Sequence, residues 1–345
     1  MGSLVDPLAI LCAAAFVLSW LLTWMAILYA HRRGMLDQPG FRRSHAIPTP
    51  RGGGIGLVIG TVLAMIVALA IWPGGVNAAV AVAVCVAALV VAMTGWLDDH
   101  RALPVLPRLM MQVLASVLFM AVLLHARAIA WAWLPVWLVL AVWSINLHNF
   151  MDGIDGILGL QVLFVGAGLA VLAWHVGQPV VAIVAASMAA ASCGFLVFNW
   201  PPARIFMGDV GSGFAGFTIF VLIALLFTRV RLTLWPALLL CSGFVADAGF
   251  TLAWRMWCGK RWYTAHREHL YQWLVRCGWT HAGTGGLYML WNVLLATPLA
   301  VWAVACPYAG PWLCLGLYAV AAGVWCFARH ACIGRLRSRG RWHAA

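Results

Sequence analysis

Of the nine acidic residues in this 345-residue chain, six fall in four short polar stretches set between long apolar runs. Asp98 and Asp99 are adjacent in "GWLDDH". Asp152 and Asp155 lie three apart in "NFMDGIDG", just after Asn146 and Asn149. Asp209 stands with Ser212 in "FMGDVGSG", and Glu268 in "HREHLYQ" (His266–Gln272). A fifth stretch, "HAIPTPRGGG" (His45–Gly54), carries Arg51 to a glycine-rich turn. Carboxylate and amide oxygens are hard ligands suited to Mg2+. Arg and His suit phosphate, and glycine-rich turns at helix N-termini suit bound anions. Together these groups form a toolkit for phosphoryl transfer.

Each stretch also has a plainer reading. The Asp98–Asp99 pair could be a solvated helix end, but a helix C-terminus disfavours anions and adjacent carboxylates repel. A metal-bound or substrate-activating pair accounts for both costs, and Arg108 could balance the charge or hold a phosphate. An Asp is a good N-cap, yet capping explains one of Asp152 and Asp155, not both together with two Asn. His148 reads as packing or capping. The spacing of His266 and His269 would suit zinc only with further ligands, and no Cys or third His lies near them.

The elements that must position these residues are apolar spans. The chain is 65% hydrophobic and 9% charged, with a mean hydropathy of +0.96. That composition belongs to a polytopic membrane protein. The spacing predicts an all-α fold of about eleven transmembrane helices, near 4–30, 55–72, 78–97, 109–125, 131–146, 157–174, 179–198, 213–228, 232–254, 284–305 and 310–328. The first run is too long for the core of a cleavable signal, and no basic residue precedes it. Basic residues follow it, which puts the N-terminus outside and the C-terminus in the cytoplasm. In that topology only Arg127, Arg229 and Arg231 of the 21 basic residues fall outside. The net charge of +12 is then largely a positive-inside bias, helped by anionic membrane lipid, and not a nucleic-acid footprint. The ten Cys sit mostly in apolar runs and read as small packing residues; a Cys306–Cys314 disulfide would be compatible with the loop between them.

The topology gathers the four acidic stretches on the cytoplasmic face. A coupled transporter or flippase, the competing class, would place carboxylates near the bilayer midplane. Asp247 is the residue that could serve that role.

"PTPRGGG", "GWLDDH", "NxxNFMDGIDG", "FMGDVGS" and "HREHLYQ" in this order resemble the polyprenyl-phosphate N-acetylhexosamine-1-phosphate transferases, of glycosyltransferase family 4 type. The resemblance implies a single transmembrane transferase domain over 1–345, with active-site loops near 31–54, 98–108, 146–156, 199–212 and 255–283. It implies Mg2+, with Mn2+ as an alternative, a UDP-N-acetylhexosamine donor and undecaprenyl phosphate as acceptor in a bacterial inner membrane. A homodimer is compatible with it. Asp209 would be the metal ligand and, with Asp98 and Asp99, catalytic. Asn149, Asp152 and Asp155 would line the nucleotide site. Arg51, Arg108, His266, Arg267 and His269 would hold substrate phosphates. "HREH" in place of a triple His argues against a peptidoglycan role. It resembles an O-antigen-initiating subgroup whose donors are often UDP-linked 6-deoxy sugars such as FucNAc or QuiNAc; UDP-GlcNAc is the other expected donor.

Overall fold

The computed structural model describes residues 2–38, 48–72, 75–261, 264 and 266–338, with side chains from residue 7 onward. His45–Ile47 of the first motif, and Arg42, Arg43, Arg339 and Arg341, lie outside the described residues. The chain is all-α apart from a two-residue antiparallel pair. In order the elements are α1 Gly2–Arg33, β1 Leu36–Asp37, β2 Thr49–Pro50, α2 Ile55–Ile71, α3 Ala78–His100, α4 Val105–His125, α5 Leu134–Phe150, α6 Ile157–His175, α7 Pro179–Asn199, α8 Gly208–Arg229, α9 Leu234–Leu240, α10 Ser242–Trp257, α11 Leu270–Arg276, α12 His281–Trp291, α13 Thr297–Ala305 and α14 Gly310–Ser338.

Among the described residues, nine helical segments are long and apolar enough to cross a membrane. Each needs roughly 20 residues to span about 30 Å of hydrocarbon. The remaining two expected spans depart from that form. α2 is only 17 residues long. The expected span 232–254 is broken, its halves Arg231–Leu240 and Ser242–Trp257 meeting at 76°. The tenth expected span contains a π-helical turn, Asn292–Ala296. There the buried Asn292 amide donates to Gln161 Oε1 (2.8 Å), a polar contact to α6.

α7 and α8 form the centre: 78% and 83% of their apolar windows are buried, against 22% for α1 and α14. Phe119 of α4 packs edge-on against Phe217 and Phe220 of α8. The peripheral helices instead carry exposed Val139, Leu294, Val301 and Phe327, as faces turned to lipid should. The all-α polytopic membrane fold is therefore as expected. All ten cysteines are free. Cys314 is buried with Sγ 3.6 Å from Trp235 O, while Cys306 is exposed, so the compatible disulfide is not formed.

Candidate active site

Alternating helices bring the C-terminal ends of α3, α5 and α7 and the N-terminal ends of α6, α8 and α12 to one end of the bundle. The short loops there interlock through backbone bonds. Gly53 N donates to Phe206 O (3.0 Å), and Phe206 N donates to Pro50 O (2.8 Å). Gly156 N donates to Asn199 Oδ1 (2.9 Å). They enclose a cavity of about 280 Å³ lined by Asp37, Arg51, Asp99, Asp152, Asp155, Phe206, Asp209, Gln272 and His281, among others.

Asp99 reaches from the last turn of α3 to the first turn of α8. Its Oδ1 accepts the Asp209 N–H (3.0 Å) and its Oδ2 the Val210 N–H (3.1 Å). A helix leaves its first N–H groups without partners, so this carboxylate completes α8 while fixing where Asp209 sits. Gly208 makes the approach feasible: its φ is +76°, and a Cβ would lie 2.5 Å from Asp99 Oδ2.

Asp209 is held from two further sides. Asn149, in the last turn of α5, donates to Asp209 Oδ1 (2.9 Å) and Ser212 Oγ (3.0 Å). Arg108 Nη1 lies 3.2 Å from Asp209 Oδ2 and 2.7 Å from Asp98 Oδ2. Arg108 and Asn149 face a small space of about 20 Å³ that shares Asp209 with the larger cavity. Both orient carboxylates. Asp98 also accepts the Leu103 N–H at the turn into α4.

Asp152 differs from its neighbours. Among the described residues none hydrogen-bonds its carboxylate. Burial, followed by the charges of Asp209, Asp99 and Asp155, pushes its carboxyl well above the usual range. Asp155 is engaged instead: its Oδ2 accepts the Ala203 N–H (3.1 Å) and lies 3.1 Å from His281 Nδ1. Arg51 lines the cavity in an ion pair with Asp37.

His266, Arg267 and His269 do not line this cavity. Their segment is anchored beside it by Glu268, which pairs with Arg255 and with Lys260 (2.9 Å). Burial, and then the proximity of His269, Arg255 and Lys260, pushes His266 down to about 3. Burial also lowers His269. Burial thus disfavours the charged form of both rings. The segment contributes through the first turn of α11 instead. Gln272 lines the cavity, and Tyr271 Oη donates to Phe150 O (2.9 Å). That hydroxyl fills the space where a Cβ on Gly153 would stand.

Asp247 is not a free membrane carboxylate. It accepts from Leu270 N (2.7 Å), Tyr271 N (3.3 Å), Tyr288 Oη (2.6 Å) and Thr251 Oγ1 (3.2 Å). It caps α11, and this removes the feature that pointed to a transporter. His148 is buried, with Nδ1 2.8 Å from Ser144 O, and serves packing as expected.

Sequence reasoning missed Asp37, Asn199, Gln272 and His281. His281 had one available signal, a His directly after Thr280 at the start of a helix, but nothing in its spacing tied it to Asp155.

The sequence profile of glycosyl transferase family 4 matches residues 80–227. The chain is 32% identical over 276 residues to a phospho-N-acetylmuramoyl-pentapeptide-transferase of Synechococcus sp. RCC307, covering 71% of this chain and 73% of that one. It is 29% identical over 236 residues to a probable undecaprenyl-phosphate N-acetylglucosaminyl 1-phosphate transferase of Bacillus subtilis, covering 64% of each. A third relative, an undecaprenyl-phosphate alpha-N-acetylglucosaminyl 1-phosphate transferase of Yersinia pestis, is 28% identical over 324 residues and 86% of each chain. The match thus spans slightly under two thirds of the Bacillus relative.

Proposed function

Since the chain belongs to glycosyl transferase family 4, we propose that it transfers an N-acetylhexosamine-1-phosphate from a UDP-sugar to undecaprenyl phosphate in a bacterial inner membrane. The observation that carries this reading is the cavity at one end of the membrane bundle, where Asp99, Asp152, Asp155 and Asp209 face one another with Arg51 and His281. A nucleotide sugar arriving from the cytoplasm and a phosphate at the lipid surface can meet there. The product starts a lipid-linked cell-surface glycan of the O-antigen kind. The donor is UDP-GlcNAc or a 6-deoxy analogue.

In the reaction an oxygen of the lipid phosphate attacks the sugar-linked phosphorus of the donor. The bond from that phosphorus to the bridging oxygen breaks, and UMP leaves with the electron pair. No three His, Cys, Asp or Glu side chains among the described residues are placed to cage an ion. Mg2+ does not need such a cage, because it takes one or two carboxylates and completes its shell with water and substrate phosphate. The donor set fits: Asp209 would hold the ion, and Asp152, with no protein partner among the described residues and strained by its neighbours' charge, would be the second oxygen donor. Bound there, Mg2+ would offset charge on the diphosphate.

The chain's own groups do the positioning. Asp99 and Asn149 fix Asp209, and Arg108 holds Asp98. With both its oxygens accepting backbone N–H groups, Asp99 is poorly disposed to act as a nucleophile, which favours direct attack over a phospho-enzyme. The test is purified protein incubated with undecaprenyl phosphate and a panel of UDP-N-acetylhexosamines. UMP and a polyprenyl-diphospho-sugar should appear with at least one donor, and their absence across the panel would reject the reading.

A further inference from the structure

We propose that His281, held by Asp155, is a direct ligand of the donor's diphosphate. The proposal rests on the transferase reading and adds a residue to that site. Among the described residues, five aspartates line the cavity against two basic side chains, Arg51 and His281. Arg51 is already paired with Asp37, and the residues expected to hold phosphate at the "HREH" stretch lie outside the cavity. An anionic diphosphate entering this carboxylate-rich space needs hydrogen-bond donors, and His281 is positioned to give one.

The geometry fixes which ring atom does so. His281 Nδ1 lies 3.1 Å from Asp155 Oδ2 and 3.4 Å from the Asp155 amide nitrogen. Of the two, the backbone contact is the hydrogen bond: the Asp155 N–H donates to Nδ1, and the carboxylate lies beside that nitrogen. Nδ1 is therefore committed to Asp155, and Nε2 is the polar atom left to the cavity. These contacts fix the ring's orientation, and with Nδ1 accepting, the neutral ring carries its proton on Nε2, where it can be donated to a diphosphate oxygen. Asp155 is accordingly a positioning residue whose remaining contact, from Ala203 N, ties it to the loop before α8. This replaces its expected role as a direct nucleotide acceptor.

The test is UDP binding by titration calorimetry to the detergent-purified full chain, with thermal stability measured alongside. A Gln amide nitrogen reaches about the position of His Nε2, and an Asn amide that of Nδ1. His281→Ala and His281→Asn should weaken UDP binding about tenfold or more, the scale of one charge-assisted hydrogen bond. His281→Gln should restore most of that loss. Asp155→Asn should weaken binding in the same direction, and the double variant with His281→Ala should be no worse than His281→Ala alone. Rescue by Asn and not Gln would overturn the proposal, because His281 would then only prop Asp155. Equal UDP affinity in all variants, or additive losses in the double variant, would also overturn it. Wild-type protein that neither binds UDP nor releases UMP would remove the transferase reading itself, and the inference with it. An active wild type with an unaffected Ala variant would remove the inference alone.

Discussion

Asp99 and Asp209 are joined through the backbone rather than through their charges: both Asp99 oxygens accept N–H groups at the start of the helix that carries Asp209. The adjacent aspartates of "GWLDDH" thus have separate duties. Asp98 pairs with Arg108, and Asp99 closes a helix end. We expect Asp99→Ala to leave two buried N–H groups without partners, at about 1–3 kcal/mol each, and so to lower thermal stability as well as UMP release. Asp209→Asn should abolish release with little loss of stability. Paired melting and turnover measurements check this; equal stability of the Asp99→Ala and wild-type proteins would contradict it.

Asn149 orients Asp209 without facing the larger cavity. On the proposed role of Asp209 as metal ligand, a partner that orients it is worth about 10–100-fold in metal affinity or activity. Asn149→Ala should therefore raise the Mg2+ concentration needed for half-maximal UMP release by that order, leaving UDP affinity near wild type. A variant with weakened UDP binding and an unchanged Mg2+ requirement would return Asn149 to the nucleotide-contacting role its sequence position suggested.

Asp152 gives a prediction with a sign. Its folded-state carboxyl is raised above the ordinary value of about 3.9. In the window above that value the folded chain keeps a proton that the unfolded chain has released, so its contribution to stability is present at low pH and is lost as pH rises. Asn cannot ionise and escapes this loss. In EDTA, Asp152→Asn should melt higher than wild type at pH 8, and the gain should vanish near pH 4. Adding Mg2+ should narrow the gap, because the ion stabilises the wild type by binding. A lower melting point for the variant at pH 8 in EDTA would contradict the account.

The chain of contacts from Asp247 through α11 to Phe150 and Gly153 sets the turn that bears Asp152 and Asp155. Tyr271→Phe removes only the hydroxyl. It should raise the KM for the UDP-sugar several-fold at an unchanged KM for undecaprenyl phosphate, with a melting point close to wild type. A fall in melting point with both KM values unchanged would show a purely structural strut.

The membrane fold was legible because apolar runs about 20 residues long admit few alternatives. Ten of the eleven expected spans are continuous helical segments, and the exception at Cys241 was hidden because its two halves are equally apolar. Asp98, Asp99, Asp152, Asp155 and Asp209 stood out because carboxylates are rare in this chain. Their division of labour was not legible. It depends on which backbone N–H groups each oxygen meets across helices about 110 residues apart, as for Asp99 and Asp209. The setting of "HREH" was not legible for a related reason: composition shows ionisable side chains, while the burial that disfavours charge on His266 and His269 exists only in the fold.

The central claim is that this cavity performs a Mg2+-dependent transfer centred on Asp209. Its most direct test is UMP release by the purified wild type and Asp209→Asn, with UDP-sugar donors and undecaprenyl phosphate, across a Mg2+ titration from EDTA to saturation. The account predicts release by the wild type that rises from zero with Mg2+, and a loss of about 100-fold or more in the variant at every concentration. Full activity of Asp209→Asn, or wild-type release that persists in EDTA, would contradict it.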